Sequence, residues 1–153
     1  MTHGALLAAT PSLLDSLGRG VLAIVAYTAV GLLLLVLGYV VVDVLTPGRL
    51  SSIIRSERNP NAAALAASGV FAVALVVVAA IFTSGGDLVQ GLTETIVFGL
   101  VGILAQAGAS LVFDRVIGMD LGEVMKDPKL SPATVLVAVT RVAIGLITMF
   151  AVI

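Results

Sequence analysis

Hydrophobic positions along the chain fall into four long runs set apart by short polar punctuation. No charged residue occurs between Arg19 and Asp43, and none within residues 62–83. A third run, 93–113, carries Glu94 near its start and Gln106 inside, and a fourth, 133–153, carries Arg141. At a helical rise of about 1.5 Å per residue, each run suffices to cross a hydrocarbon core of roughly 30 Å. Spanning helices are therefore predicted over 20–44, 61–83, 92–114 and 132–153.

The polar segments between the first and second runs and between the third and fourth resemble each other. Residues 43–58 read DVLTPGRLSSIIRSER, and 71 positions later residues 114–129 read DRVIGMDLGEVMKDPK. Asp43 aligns with Asp114, Leu50 with Leu121, Ile53 with Val124, Ile54 with Met125, Arg55 with Lys126 and Arg58 with Lys129, without a gap. The pattern predicts an internal repeat of two helical hairpins, residues 20–83 and 91–153, each with a basic connection (45–60 and 115–131) at its tip. Thr46, Pro47 and Gly48 stop the first helix, because proline lacks the N–H and glycine frees the backbone. Leu50, Ile53 and Ile54 then recur at helical spacing opposite Arg49, Arg55 and Arg58, which predicts a short amphipathic helix at the membrane surface. Asn61 is the predicted N-cap of the second span, and Ser131 with Pro132 the cap and first residue of the fourth. Residues 1–19 form either a surface helix or a tail, with Thr10 and Pro11 placed as a helix start.

Composition supports a membrane protein: 59% hydrophobic, 11% charged and a mean hydropathy of +1.20 leave too little polar surface for a soluble domain. The fold class is all-α, a polytopic bundle of four spans in a parallel tandem of two hairpins. A net charge of −1 provides no footprint for nucleic acid. The absence of cysteine excludes disulfides and thiol chemistry, and with His3 the single histidine no zinc set is expected. No positive charge precedes the first apolar stretch, so the layout is not that of a secretory signal and the first span is expected to be retained. Arg49, Arg55, Arg58, Arg115, Lys126 and Lys129 lie on one side of the spans and only Arg19 on the other. The connections are therefore expected in the cytoplasm and both termini outside.

Arg141 is the outstanding chemical feature. An arginine inside a span costs about 2.5–3.5 kcal/mol on insertion scales, so a partner is expected. Asp43 and Asp114 at helix ends and Gln106 at a similar depth complete a candidate buried polar cluster. A structural pair that fixes hairpin packing is one account; a cluster lining a pathway or ligand site is the other. For Glu94 near the outer end of the third span, capping and interface placement at a helix N-terminus is one account and a proton or cation site the other. Arg49, Arg55, Arg58, Lys126 and Lys129 suit lipid headgroups or a partner, and topogenic charge explains them equally. Small residues in 62–72, and Gly99, Gly102, Ala105, Gly108 and Ala109, permit close helix contact within or between chains. No nucleophile with a base, phosphate loop or metal pattern is present, so neither enzymatic activity nor a cofactor is expected.

The segments GYVVVDVLTPGRL, NPNAAALAASG and LVFDRVIG resemble a bacterial inner-membrane family, domain of unknown function 350, the YjfL-like proteins. The resemblance covers residues 17–153; the chain departs from it in lacking tryptophan and in its long N-terminal tail. It implies a small four-span protein of two two-span repeats, with a role in membrane homeostasis and no functional residue to carry over. The expected function is a non-enzymatic membrane subunit that associates with itself or another membrane protein. The alternative is a small oligomeric channel or transporter around Gln106 and Arg141.

Overall fold

The computed structural model describes residues 13–46, 50–118 and 120–153. Arg49, His3 and the expected helix start at Thr10 and Pro11 lie outside them. Helix α1 spans Leu13–Leu45, α2 Leu50–Glu57, α3 Pro60–Thr83, α4 Leu88–Ile117, α5 Leu121–Val124 and α6 Pro132–Val152. Four of these, α1, α3, α4 and α6, are long and apolar enough to cross a membrane. The described residues contain no strand. In a medium without water every backbone N–H and C=O must be satisfied within the chain, which a helix does locally.

The observed boundaries extend three predicted ones. Helix α1 begins at Leu13 rather than residue 20 and runs unbroken through Gly18 and Gly20. Glycine lowers helix propensity by about 1 kcal/mol, but Leu13, Leu17 and Val21 keep the stretch apolar. The Arg19 Nε also donates to the Asp15 carbonyl one turn back at 3.4 Å. Residues 13–19, expected in the tail, thus belong to the first long helix. Helix α4 starts at Leu88, not 92, because Asp87 accepts the Gln90 N–H at 2.8 Å. It continues to Ile117, not 114, and ends where Gly118 turns left-handed at φ 65° with its N–H on the Asp114 carbonyl. The N-cap of α3 is Asn59, whose side chain accepts from the Asn61 and Ala62 N–H groups. The predicted cap, Asn61, stands two residues further on. Ser131 caps α6 and Pro132 opens it, as predicted.

Helix α3 is the hub, packing against α1, α4 and α6, whereas α1 and α6 scarcely meet. Its buried face carries Ala62, Leu65, Ala66, Gly69, Ala72, Val73 and Val76, and small side chains here let α6 approach. A Cβ on Gly145 would stand 2.7 Å from the Cα of Ala72, so only glycine permits this crossing. Two apolar layers fill the interior. One lies at the connection end, around Leu50, Leu65, Leu121, Met125 and Val137. The other joins Leu34, Val73, Val77 and Ile103 toward the α3–α4 turn.

Candidate functional site

Between these two layers lies the polar cluster. On α6 the buried positions Thr134, Val137, Arg141, Gly145 and Thr148 follow each other every three to four residues, a stripe that puts Arg141 in the seam with α3. On α4, Gln106, Ser110 and Asp114 recur every four residues and share one face. All three line, with Arg141, a cavity of about 30 Å³ walled by the second half of α1, which is room for about one or two water molecules. Arg141 is 6% exposed and Gln106 4%.

The guanidinium has partners on α3, on α4 and at the residue that follows α1, all at long range. Arg141 Nη2 lies 3.8 Å from Asp114 Oδ2 and 3.5 Å from the Thr46 hydroxyl, to which it donates. Its Nη1 donates to the Leu65 carbonyl at 3.4 Å. Charge-assisted hydrogen bonds ordinarily measure about 2.7–2.9 Å, so the guanidinium is held loosely. Arg141 Nε and Gln106 Oε1 are buried without a partner. An unmet buried polar group costs about 1–3 kcal/mol, which makes this the least satisfied place among the described residues.

Of the four residues expected to cluster, the structure brings together Arg141, Asp114 and Gln106 and leaves Asp43 out. Asp43 accepts the Ser51 N–H at 2.8 Å and the Ser51 hydroxyl at 3.2 Å, and so caps α2. The positive partial charge at the start of α2 favours this carboxylate and offsets the negative one at the end of α1, where Asp43 sits. Glu94 closes the α3–α4 turn: it accepts the Gly85 N–H at 3.0 Å and the Gln90 amide at 2.9 Å. Arg55, Arg58, Lys126 and Lys129 are exposed at the connections, away from the cavity.

Three contributors were missed from sequence. Thr46, read only as part of a helix stop, is buried beside Arg141. Asn59 donates to the Met125 and Asp127 carbonyls. Asn61 is fully buried; it donates to the Asp127 and Lys129 carbonyls at 2.9 and 2.8 Å and accepts from the Ser131 N–H and Thr134 hydroxyl. The two asparagines thereby fasten one connection to the other. The available signal was position: Asn61 falls one turn before Leu65 and two before Ser68 on the small-residue face, which a solvent-facing cap would not share.

A family model described as Domain of Unknown Function (DUF350) matches residues 15–152. The chain belongs to that family. Among its relatives, a "UPF0719 transmembrane protein" of Mycolicibacterium paratuberculosis is 35% identical over 134 residues, covering 88% of this chain and 89% of the relative. A protein of the same description from Mycobacterium bovis is 38% identical over 127 residues, covering 83% and 84%. No solved structure matches the chain significantly. With relatives described as transmembrane proteins and four apolar helices of spanning length, this DUF350 member is a multi-pass membrane protein.

Proposed function

We propose that the protein is a non-enzymatic subunit of the bacterial cytoplasmic membrane, acting by association with itself or with another membrane protein in the upkeep of the envelope. One observation carries the reading. Arg141, Gln106 and Asp114 converge within one chain, between two apolar layers, on a cavity with room for only about one or two waters, an arrangement that suits a packed subunit better than a conduit. On the outward side of α4, Ala105, Gly108 and Ala109 are exposed, and nothing stands within 4 Å of where a Cβ on Gly108 would be. Such a surface accepts a neighbouring helix closely.

The reading includes a parallel tandem of hairpins with cytoplasmic connections. In its support, Asn61 meets Thr134 and Ala72 meets Gly145, pairings that advance together along α3 and α6. Tyr27 meets Gly91 and Leu34 meets Gly99, which does the same for α1 and α4. Mass measurement of the native particle in nanodiscs is expected to show more than one copy or a companion protein, with Gly108→Leu reducing it to a lone chain. Liposomes holding the wild type are expected to pass no ions; a flux that Arg141→Leu abolishes overturns the reading in favour of a channel. A cytoplasmic reporter is expected to work when fused at Ser52 and to fail at Gly86.

A further inference from the structure

The crevice around Arg141 has a chemical character that packing alone does not require. Two of its lining residues carry buried atoms without a partner, Arg141 Nε, a donor, and Gln106 Oε1, and a flip of the Gln106 amide would present its NH2 in place of that oxygen. Both residues are more than nine-tenths buried. At the rim stands one carboxylate, Asp114, 24% exposed and 3.8 Å from the guanidinium. The site is thus positive at depth and negative at its mouth, with no net charge. Apart from the Thr46 and Ser110 hydroxyls its remaining wall is apolar, with Val41 and Leu45 on α1 and Ala107 and Leu111 on α4, and Leu45 is 40% exposed at the edge. The cavity therefore communicates with the surroundings between α1 and α4.

Depth identifies those surroundings. Arg141 stands nine residues into α6, about 13 Å from its start, and helical side chains lean toward the N-terminus, which here is the connection end. The guanidinium thus lies in the half of the hydrocarbon core on the connection side and reaches toward the headgroups of that leaflet. We propose that the crevice binds one phospholipid of that leaflet whose headgroup carries a primary ammonium beside its phosphate, as in phosphatidylethanolamine. A phosphate oxygen enters the cavity and accepts from Arg141 Nε and Gln106. The ammonium meets Asp114 at the rim, and an acyl chain lies along the apolar wall between α1 and α4. A purely anionic headgroup would face Asp114 with like charge, and a quaternary ammonium offers that carboxylate no N–H donor. The zwitterion with a primary amine satisfies both ends. The inference does not depend on how many copies of the chain associate.

Native mass spectrometry from nanodiscs containing equal amounts of phosphatidylethanolamine, phosphatidylglycerol and phosphatidylcholine tests it. Wild type is expected to retain one phosphatidylethanolamine at about fivefold or greater excess over either other lipid. Ala107→Leu and Ser110→Leu, which fill the mouth from the α4 wall, are expected to remove the excess while the thermal midpoint shows the chain still folded. Asp114→Asn is expected to shift preference toward phosphatidylglycerol, a change that a merely structural ion pair would not produce. Equal retention of the three lipids, or an excess that survives both wall substitutions in folded protein, overturns the proposal. Displacement of the lipid by inorganic phosphate alone overturns it as well, since the site would then take a free anion.

Discussion

Asp43 and Asp114 stand 71 positions apart in matching stretches of sequence, and they do different work. In the first half Asp43 caps the connection helix through Ser51. In the second half Asp120 accepts the Gly122 and Glu123 N–H groups and caps α5. With a local residue serving the cap, Asp114 faces Arg141 instead. The rest of the cluster is equally one-sided. The counterparts of Gln106 and Arg141 in the first half are Leu35 and Val70, and that of Thr46 in the second is Ile117. What the halves share is an apolar scaffold; what they do not share is the polar site.

The helices also depart from equivalence in height. Asn61 with Thr134 and Ala72 with Gly145 pair 73 positions apart, close to the 71 that separate Asp43 from Asp114. Tyr27 with Gly91 and Leu34 with Gly99 pair at 64 and 65. Helix α1 is thus displaced toward the α3–α4 turn by about six residues, or about 9 Å by helical rise. The displacement ends α1 at the level of the guanidinium, so Thr46 arrives there while Asp43 is spent on α2.

Five substitutions test this contrast. The largest effect is expected from Asn61→Ala, which removes four hydrogen bonds between the halves and strands buried groups. Unfolding followed by circular dichroism in detergent should show a loss of about 3 kcal/mol or more, against under about 1 kcal/mol for the matched Pro132→Ala. Next, Asp114→Asn should cost about 2 kcal/mol, toward the low side for breaking a buried pair because the contact is long and its carboxylate partly exposed. Asp43→Ala should cost about 1 kcal/mol, as for a lost cap; equal losses at 43 and 114 would erase the distinction between them. Asp120→Ala should likewise cost about 1 kcal/mol, and its effect should add to that of Asp114→Asn within about 0.5 kcal/mol, because the two carboxylates serve separate partners. Strong coupling in that double-mutant cycle would mean they share one task. Lys126→Ala should change stability by no more than about 0.5 kcal/mol.

Much of the fold was legible because long apolar runs with little charge are themselves the membrane signal: four runs gave four helices long and apolar enough to span, and Ser131 with Pro132 marked the start of α6. The pairing of Arg141 with Asp114 was legible from depth and from the lean of helical side chains. Asp43 was misread because its match to Asp114 suggested a matching role, and hydropathy says nothing of how far one helix slides along another. Asn61 was misread because polarity in a first turn looks like capping until the facing helix supplies Thr134. The early start of α1 was hidden by Gly18 and Gly20, which break helices in water and are tolerated in an apolar setting.

The central place of α3 bears on how the molecule is made. It leaves the ribosome before α4, yet its chief partner, α6, is synthesised after both. Until then Asn61 has neither Ser131 nor Thr134 to bond, and the small-residue face of α3 is left to lipid. A nascent chain halted before α6 therefore presents a polar, half-built helix to whatever membrane quality-control machinery surveys it.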